Sequence, residues 1–312
     1  MKLRSHPRAA LKLAALAPRL LSQLARDQYA LILDYDVQFR RRWTERQPHR
    51  ELRALLAAGI ERYRATLREF LPLRADLAAI SEEWQNRWIP PLDAISIYGL
   101  LAARRPRLYL EIGSGFSTRF ARRAIRDQRL PTRIVSVDPE PRADVDALCD
   151  QVVRSRMETV DLAIFDQLQP GDMLLLDGSH RCLPNSDVTA FFLEVLARLP
   201  PEVLVGVHDI FLPYDYPEAF LGRYYSEQYV LGAWLLADRG HRLSVVLPMA
   251  YLAATGVAQA ELQTVLNVIP STSGDAGMFW MATTLDADAG RLTCDDERQS
   301  EEPRGRHPTD PP

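Results

Sequence analysis

Leu108-Tyr109-Leu110-Glu111-Ile112-Gly113-Ser114-Gly115-Phe116-Ser117-Thr118 decides the fold of this 312-residue chain. An apolar run carrying one carboxylate meets two glycines around Ser114, and a helical pattern starts at Ser117. The segment reads as strand, tight turn and helix. Glycines at 113 and 115 permit a sharp turn and a close approach of ligand to backbone. A second apolar run, Val135-Ser136-Val137, ends in Asp138, 23 residues after Gly115. That is near the ~20-residue offset at which an acid meets ribose hydroxyls in nucleotide-binding folds. An adenosine-like ligand is the expectation.

Outward from this stretch, apolar runs at 107–112, 133–138, 151–154, 172–177 and 202–208 alternate with helical patterns, as in parallel sheets with crossover helices. Two further runs, 242–248 and 278–284, can close one sheet edge, with an antiparallel strand among them. The helix from Ser117 to Arg126 is expected to bury Phe120, Ala121 and Ile125 and to expose Arg119, Arg122, Arg123 and Arg126. Another helix is expected over about 187–199. Residues 9–80 carry helical periodicity, seen at Leu13, Leu16, Leu20 and Leu24 and again at Leu52, Leu55, Leu56, Ile60 and Tyr63. Pro90-Pro91 ends that region. The expected organisation is a helical extension over 1–90, an α/β domain over 91–284 and a disordered tail over 285–312, rich in Asp, Glu, Arg and Pro.

The turn alone does not name the ligand. A dinucleotide-binding fold wants a third glycine where this chain has Thr118. Glu111, just before the turn, would repel a pyrophosphate and suits a cationic or amine-bearing ligand. Two further motifs end strands: Leu174-Leu175-Leu176-Asp177-Gly178-Ser179-His180 and Val205-Gly206-Val207-His208-Asp209. If those strands are neighbours, Asp177 and Asp209 converge at the carboxyl edge, where ligands bind such sheets. On a continuing strand His208 and Asp209 would point to opposite faces, so both serve one site only if the chain turns there. The stretch Ile210-Phe211-Leu212-Pro213-Tyr214-Asp215-Tyr216-Pro217, with Tyr224, Tyr225, Glu227, Gln228 and Tyr229, reads either as an aromatic cover for a sugar or phenolic acceptor or as a hydrophobic plug. Trp84, Trp88 and Asp93 are candidates for another wall.

Glu111-Ile112-Gly113-Ser114-Gly115 resembles the first motif of class I S-adenosylmethionine-dependent methyltransferases, and Asp138 resembles their ribose-holding acid. The resemblance covers roughly residues 85–284. It implies an α/β fold, doubly wound around a mostly parallel seven-stranded Rossmann-like sheet, with the N-terminal helices outside it. It also implies a cofactor site of Glu111, Gly113, Ser114, Gly115 and Asp138, with an adenine contact after strand three near Met157 and Glu158. The Asp177 and His208-Asp209 motifs are similar to those of metal-assisted small-molecule O-methyltransferases, including macrolide sugar methyltransferases and cephalosporin-hydroxylase-like proteins. By that similarity Asp177, His208 and Asp209 bind a divalent metal, magnesium or manganese, and His180 is the general base. An alcohol is a poor nucleophile at neutral pH, and a metal and an imidazole both ease removal of its proton. His208 departs from the pattern, which has Glu there, and imidazole shifts preference away from magnesium toward manganese, iron or zinc.

Composition excludes several classes. The longest stretch without charge, residues 243–260, carries Ser244, Pro248, Thr255, Gly256 and Gln259, so a spanning helix is not expected. Cys149, Cys182 and Cys294 have none of the spacings of a zinc site or disulfide framework, which fits a reducing cytoplasm. Residues 1–50 carry 11 Lys+Arg against 4 Asp+Glu, leaving the remainder strongly acidic in a chain of net charge −3. A coding bias toward Arg and a solvated helical face account for that end, and peripheral membrane contact by residues 1–50 stays open. No nucleic-acid partner is expected, and an oligomer is open. The expected activity is methyl transfer to an oxygen of a small molecule or glycan. The alternatives are a nicotinamide- or nucleotide-sugar-dependent Rossmann enzyme and a non-catalytic binding module that kept the fold.

Overall fold

The computed structural model describes residues 38–141, 144–270 and 274–285. The leucine steps from Leu13 to Leu24, the basic leader as far as residue 37 and the tail from 286 lie outside them. The chain divides into two compact units, 1–40 and 41–312, and among the described residues every regular element lies in the second.

Three short helices come first: α1 (Arg50–Ala57), α2 (Ile60–Arg68) and α3 (Arg74–Ala78). Leu52, Leu56, Tyr63, Leu67 and Leu77 bury their inner faces. Helix α4 (Pro91–Arg104) begins with proline at its first position, where no amide hydrogen is needed, and is buried from Pro91 through Leu101. Strand and helix then alternate: β1 (Leu108–Ile112), α5 (Phe116–Asp127), β2 (Arg133–Val137), β3 (Gln151–Val153), β4 (Met173–Leu176), α6 (Asp187–Ala190) and β5 (Leu204–Val207). Helix α7 (Glu227–Asp238), β6 (Leu243–Pro248), α8 (Met249–Ala254), α9 (Val257–Glu261), α10 (Gln263–Leu266) and β7 (Phe279–Thr283) complete the fold.

The seven strands form one sheet in the order β3-β2-β1-β4-β5-β7-β6, the expected doubly wound arrangement. The pairs from β3 through β5 are parallel, and β7 runs antiparallel to both β5 and β6. Central strands of such a sheet are covered on both faces and therefore read as unbroken apolar runs; every residue of β4 is buried. Gly206 of β5 lies opposite Trp280 of β7, and a Cβ there would stand 2.6 Å from the indole. The glycine makes room for a fully buried Trp280, whose ring nitrogen donates to Ser96 Oγ at 2.9 Å.

Two expectations need correction. The helix expected over 187–199 is broken: α6 passes into a wider turn over Phe191–Val195 and a tighter one over Leu196–Arg198. Phe191, Phe192, Val195 and Leu196 of this segment are all buried. On α5 Phe120, Ala121 and Ile125 are buried as expected, but Arg126 is the one fully exposed arginine of the four. Arg122 pairs with Asp150 at 2.6 Å and Arg123 with Asp127 at 2.6 Å, so these guanidinium groups lie along neighbouring loops and helix turns.

The carboxyl ends of β1, β4 and β5 meet because their strands are adjacent and parallel. Gly113 has φ +79°, and a Cβ on it would lie 2.0 Å from the Asp177 carbonyl oxygen. Gly115 is different: its φ of 174° is extended, and nothing stands within 4 Å of an added Cβ. Only Gly113 makes the turn; Gly115 keeps space open. Gly113→Ala is expected to lower unfolding stability by about 2 kcal/mol or more, from positive φ and overlap together, as read by chemical denaturation. A loss of a few tenths would show that the two loops separate easily.

Candidate functional site

The first half of the site is built around the β1 turn. Gly113 N donates to Val137 O of β2 at 3.0 Å, and Ser114 N donates to Asp138 Oδ2 at 2.7 Å. Asp138 Oδ1 accepts from Glu140 N at 2.8 Å, and Ser136 and Ser114 hydroxyls meet at 3.0 Å. Asp138 is thereby fixed beside the turn and is 8% exposed. Glu111 is fully buried, and its Oε2 accepts from Thr118 Oγ1 at 2.5 Å while its Oε1 accepts from the Tyr109 hydroxyl at 3.2 Å. Gly115 N in turn donates to Thr118 Oγ1 at 3.0 Å. Thr118, which stands where a dinucleotide fold has glycine, thus ties helix to strand through Glu111. Burial pushes Glu111 up to about 7 against the hydrogen bonds from Ser117, Thr118 and Tyr109 that favour its charge. Glu158 lies in a short turn after β3, 3.9 Å from the Arg156 guanidinium.

The second half gathers at the ends of β4 and β5. His180 and Asp209 both take left-handed backbone conformations, φ +62° and +57°. The turn at Asp209 brings its side chain and that of His208 to one site, which a straight strand would forbid. His208 Nδ1 is 3.3 Å from Asp177 Oδ1 and 4.0 Å from Asp209 Oδ1. His180 Nε2 is 3.5 Å from both Asp177 Oδ1 and Asp209 Oδ2. Behind each imidazole lies a wholly buried carboxylate: Glu227 Oε1 is 2.5 Å from His180 Nδ1, and Asp93 Oδ2 is 3.3 Å from His208 Nε2. Asp93 also accepts from Gly277 N at 2.8 Å and Met278 N at 2.9 Å, which fixes it at the head of β7.

Electrostatics follow from this crowding. Burial opposes the charge of His180, yet Glu227, Asp177 and Asp209 outweigh it and raise its pKa to about 9. His208 is also raised, with burial overcome by Asp177, Asp209 and Asp93. The proton affinity of both rings is high because carboxylates surround them.

Asp177, His208 and Asp209 are therefore brought together with His180. Among the described residues, however, no three His, Cys, Asp or Glu side chains form a group that could hold a metal ion. Magnesium takes oxygen donors in near-octahedral array, whereas here two imidazoles face the same carboxylate oxygens. As arranged, this donor set does not fit that ion. Asp93, which the sequence offered as a wall, is a member of the cluster; Trp84 is buried against Phe120, and Trp88 is 55% exposed. Glu227 was legible only as a lid residue. A carboxylate in the first turn of a helix is an ordinary preference, so no local signal separates it from a cap.

The aromatic stretch packs edge-on within itself. Phe211 meets Tyr216 and Phe220, and Tyr216 meets Tyr225 and Tyr229, at centroid distances of 5.6–5.9 Å. Asp215 fastens this loop, accepting from Arg42 N at 2.5 Å and Trp43 N at 2.9 Å and from the Tyr229 hydroxyl at 3.1 Å. Tyr225 lies 4.5 Å from the His180 ring, and Tyr224 and Tyr229 remain exposed. The segment is thus a packed plug on its inner side with tyrosines at its outer rim.

Residues 110–210 match a family model described as a methyltransferase domain, a span that runs from within β1 to just past Asp209 and takes in the β1 turn, Asp138, His180 and His208 but not Asp93 or Glu227. No curated protein sequence matches the chain. Among solved structures, an O-methyltransferase from Bacillus cereus in complex with SAH is 18% identical, with 71% of this chain and 91% of that one covered at a TM-score of 0.39. The SAH-bound Podospora anserina methyltransferase PaMTH1 is 14% identical, with 82% and 100% covered at 0.39. The MycE methyltransferase of the mycinamycin biosynthetic pathway, in complex with Mg, SAH and mycinamycin VI, is 14% identical, with 62% and 50% covered at 0.38. The match to a methyltransferase domain thus falls on the strands β1 to β5 of a seven-stranded sheet ordered β3-β2-β1-β4-β5-β7-β6.

Glu111 supplies a pH test. Its folded-state pKa, about 7, lies above the ordinary 4.5, so the folded state holds this proton more tightly than the unfolded chain. Its contribution is complete below 4.5 and is lost as pH rises toward 7, by at most about 3 kcal/mol. Denaturant melts from pH 4.5 to 8 are expected to show a shallower fall for Glu111→Gln than for the native chain. Parallel curves would mean that Glu111 is ionised throughout.

Proposed function

We propose that this chain is an S-adenosylmethionine-dependent methyltransferase whose acceptor is an oxygen of a small molecule or glycan. One observation carries the reading: the β1 turn and the His180 loop touch, through Gly113 against the Asp177 carbonyl. A cofactor bound along the turn would lie next to the histidine cluster, and the family match takes in the turn, His180 and His208. Gly115 leaves space for the cofactor, Glu111 and Ser114 shape the turn, and Asp138 presents the acid for its ribose. Glu158, after β3, is the residue offered to the adenine.

In the reaction the acceptor hydroxyl loses its proton to Nε2 of the neutral form of His180, a form that gains population as pH rises toward about 9, as its oxygen attacks the sulfonium methyl in line. The carbon–sulfur bond breaks, leaving S-adenosylhomocysteine and a methyl ether. Asp177 and Asp209 face the imidazolium that forms and hold its charge. No step is derived through a metal, because among the described residues Asp177, His208 and Asp209 are not arranged as a group that could hold one. The exposed tyrosines at the rim of the plug suit a sugar or phenolic acceptor, offering flat apolar faces and hydroxyls.

Isothermal titration is expected to show S-adenosylmethionine and S-adenosylhomocysteine binding to the native chain, weakened at least about tenfold by Asp138→Ala, the loss of a charged hydrogen-bond acceptor. His180→Ala is expected to bind both while losing at least about a hundredfold in methylation of acceptor alcohols, followed by mass spectrometry. Absence of cofactor binding to the native chain would sink the reading.

A further inference from the structure

Glu227 is fully buried although it opens a helix, and its Oε2 has no hydrogen-bond partner. An ionisable group so placed costs stability, and apolar packing would serve the fold as well. Its position is set with care, however. The carbonyl of His180 accepts from Ser226 N at 2.8 Å, just ahead of α7, and Cys182 N donates to Ser226 Oγ at 2.8 Å. The Tyr225 ring lies on the imidazole, and Glu227 Oε1 meets Nδ1 at 2.5 Å. Backbone, ring and carboxylate thus join the head of α7 to the loop after β4.

We propose that Glu227 is the positioning residue of His180: by accepting the Nδ1 hydrogen it holds the ring in the orientation that turns Nε2 toward Asp177, Asp209 and the reacting acceptor. The inference rests on the methyltransferase reading for its chemistry, and on the distances around His180 for its geometry. A carboxylate behind an imidazole holds the ring in one orientation and stabilises the charge it gains. Among the described residues Glu227 is the side chain at hydrogen-bond distance from Nδ1, while Tyr225 lies on the ring and Asp177 and Asp209 face Nε2. Because Glu227 belongs to the helix that follows the aromatic plug, the base is in place only when that segment is seated.

Glu227→Gln keeps the shape and removes the charge, Glu227→Asp keeps the charge and shortens the reach, and Glu227→Leu fills the volume without either. Each is compared with the native chain for kcat, acceptor KM, cofactor affinity and Tm, and by proton NMR for the His180 Nδ1 hydrogen. The proposal expects Glu227→Gln and Glu227→Leu to lower kcat at least about tenfold with cofactor affinity unchanged. Glu227→Asp recovers part of the loss. The strongly downfield Nδ1 hydrogen present in the native chain disappears in Glu227→Leu, and Tm stays near native. A Glu227→Leu variant with native kcat, or a native spectrum without that resonance, overturns it. If the native chain binds no S-adenosylmethionine, the methyltransferase reading fails instead, and the resonance still reports whether Glu227 holds His180.

Discussion

The approach of Gly113 to the Asp177 carbonyl is the constraint on which the rest of the site depends. It fixes the turn after β1 against the loop after β4 at a separation no side chain would tolerate. The adjoining amides continue the sheet's pattern: Gly113 N reaches Val137 O, Asp177 N reaches Ile112 O and His208 N reaches Leu176 O. Three strand ends are thus held level. Everything that follows them, Ser114, Asp138, His180 and His208 among it, inherits its place from that edge. In an open parallel sheet this edge is where ligands collect, because loops diverge there and leave a crevice.

Electrostatics give the edge its chemical character. Asp93, Asp177, Asp209 and Glu227 stand around His180 and His208, and all but Asp177 and Asp209 are wholly buried. In surroundings of reduced polarity, an uncompensated carboxylate is expensive, so each imidazole has strong reason to carry a proton. The left-handed backbone at His180 and Asp209 belongs to the same economy of space. Such conformations cost about 1–3 kcal/mol each and persist where surrounding structure imposes them. Here Ser226 N holds the His180 carbonyl, and Gly277 O takes Ile210 N directly after Asp209.

Much of the fold was legible because its signals are local. Each strand of the sheet falls on an apolar run read from the sequence, since central parallel strands are buried on both faces and need no alternation. The Glu111-to-Gly115 turn and Asp138 were legible for a similar reason: their spacing is set by one strand, one turn and one helix. Less could be read where packing overrides pattern. The arginines of α5 look solvent-facing by periodicity, but Asp150 and Asp127 draw two of them in. Gly115 looks like a partner of Gly113 in the turn, yet only Gly113 has positive φ. Thr118 read as a missing glycine, and it proved to be the hydroxyl that joins Glu111 to the start of α5.

By itself the sequence determined the strands, the order of strand and helix, the glycine turn and the pair of strand ends at Asp177 and Asp209. Those features arise from short-range periodicity and from residues within one supersecondary unit. Tertiary structure alone decided which side chains complete the cluster. Glu227 reaches His180 across 47 positions, and Asp93 is fixed by amides 184 and 185 positions away. Nothing in a linear pattern records such distances; they follow from where α4, α7 and β7 pack on the sheet. It is packing that set Glu227 behind His180 and Asp93 behind His208.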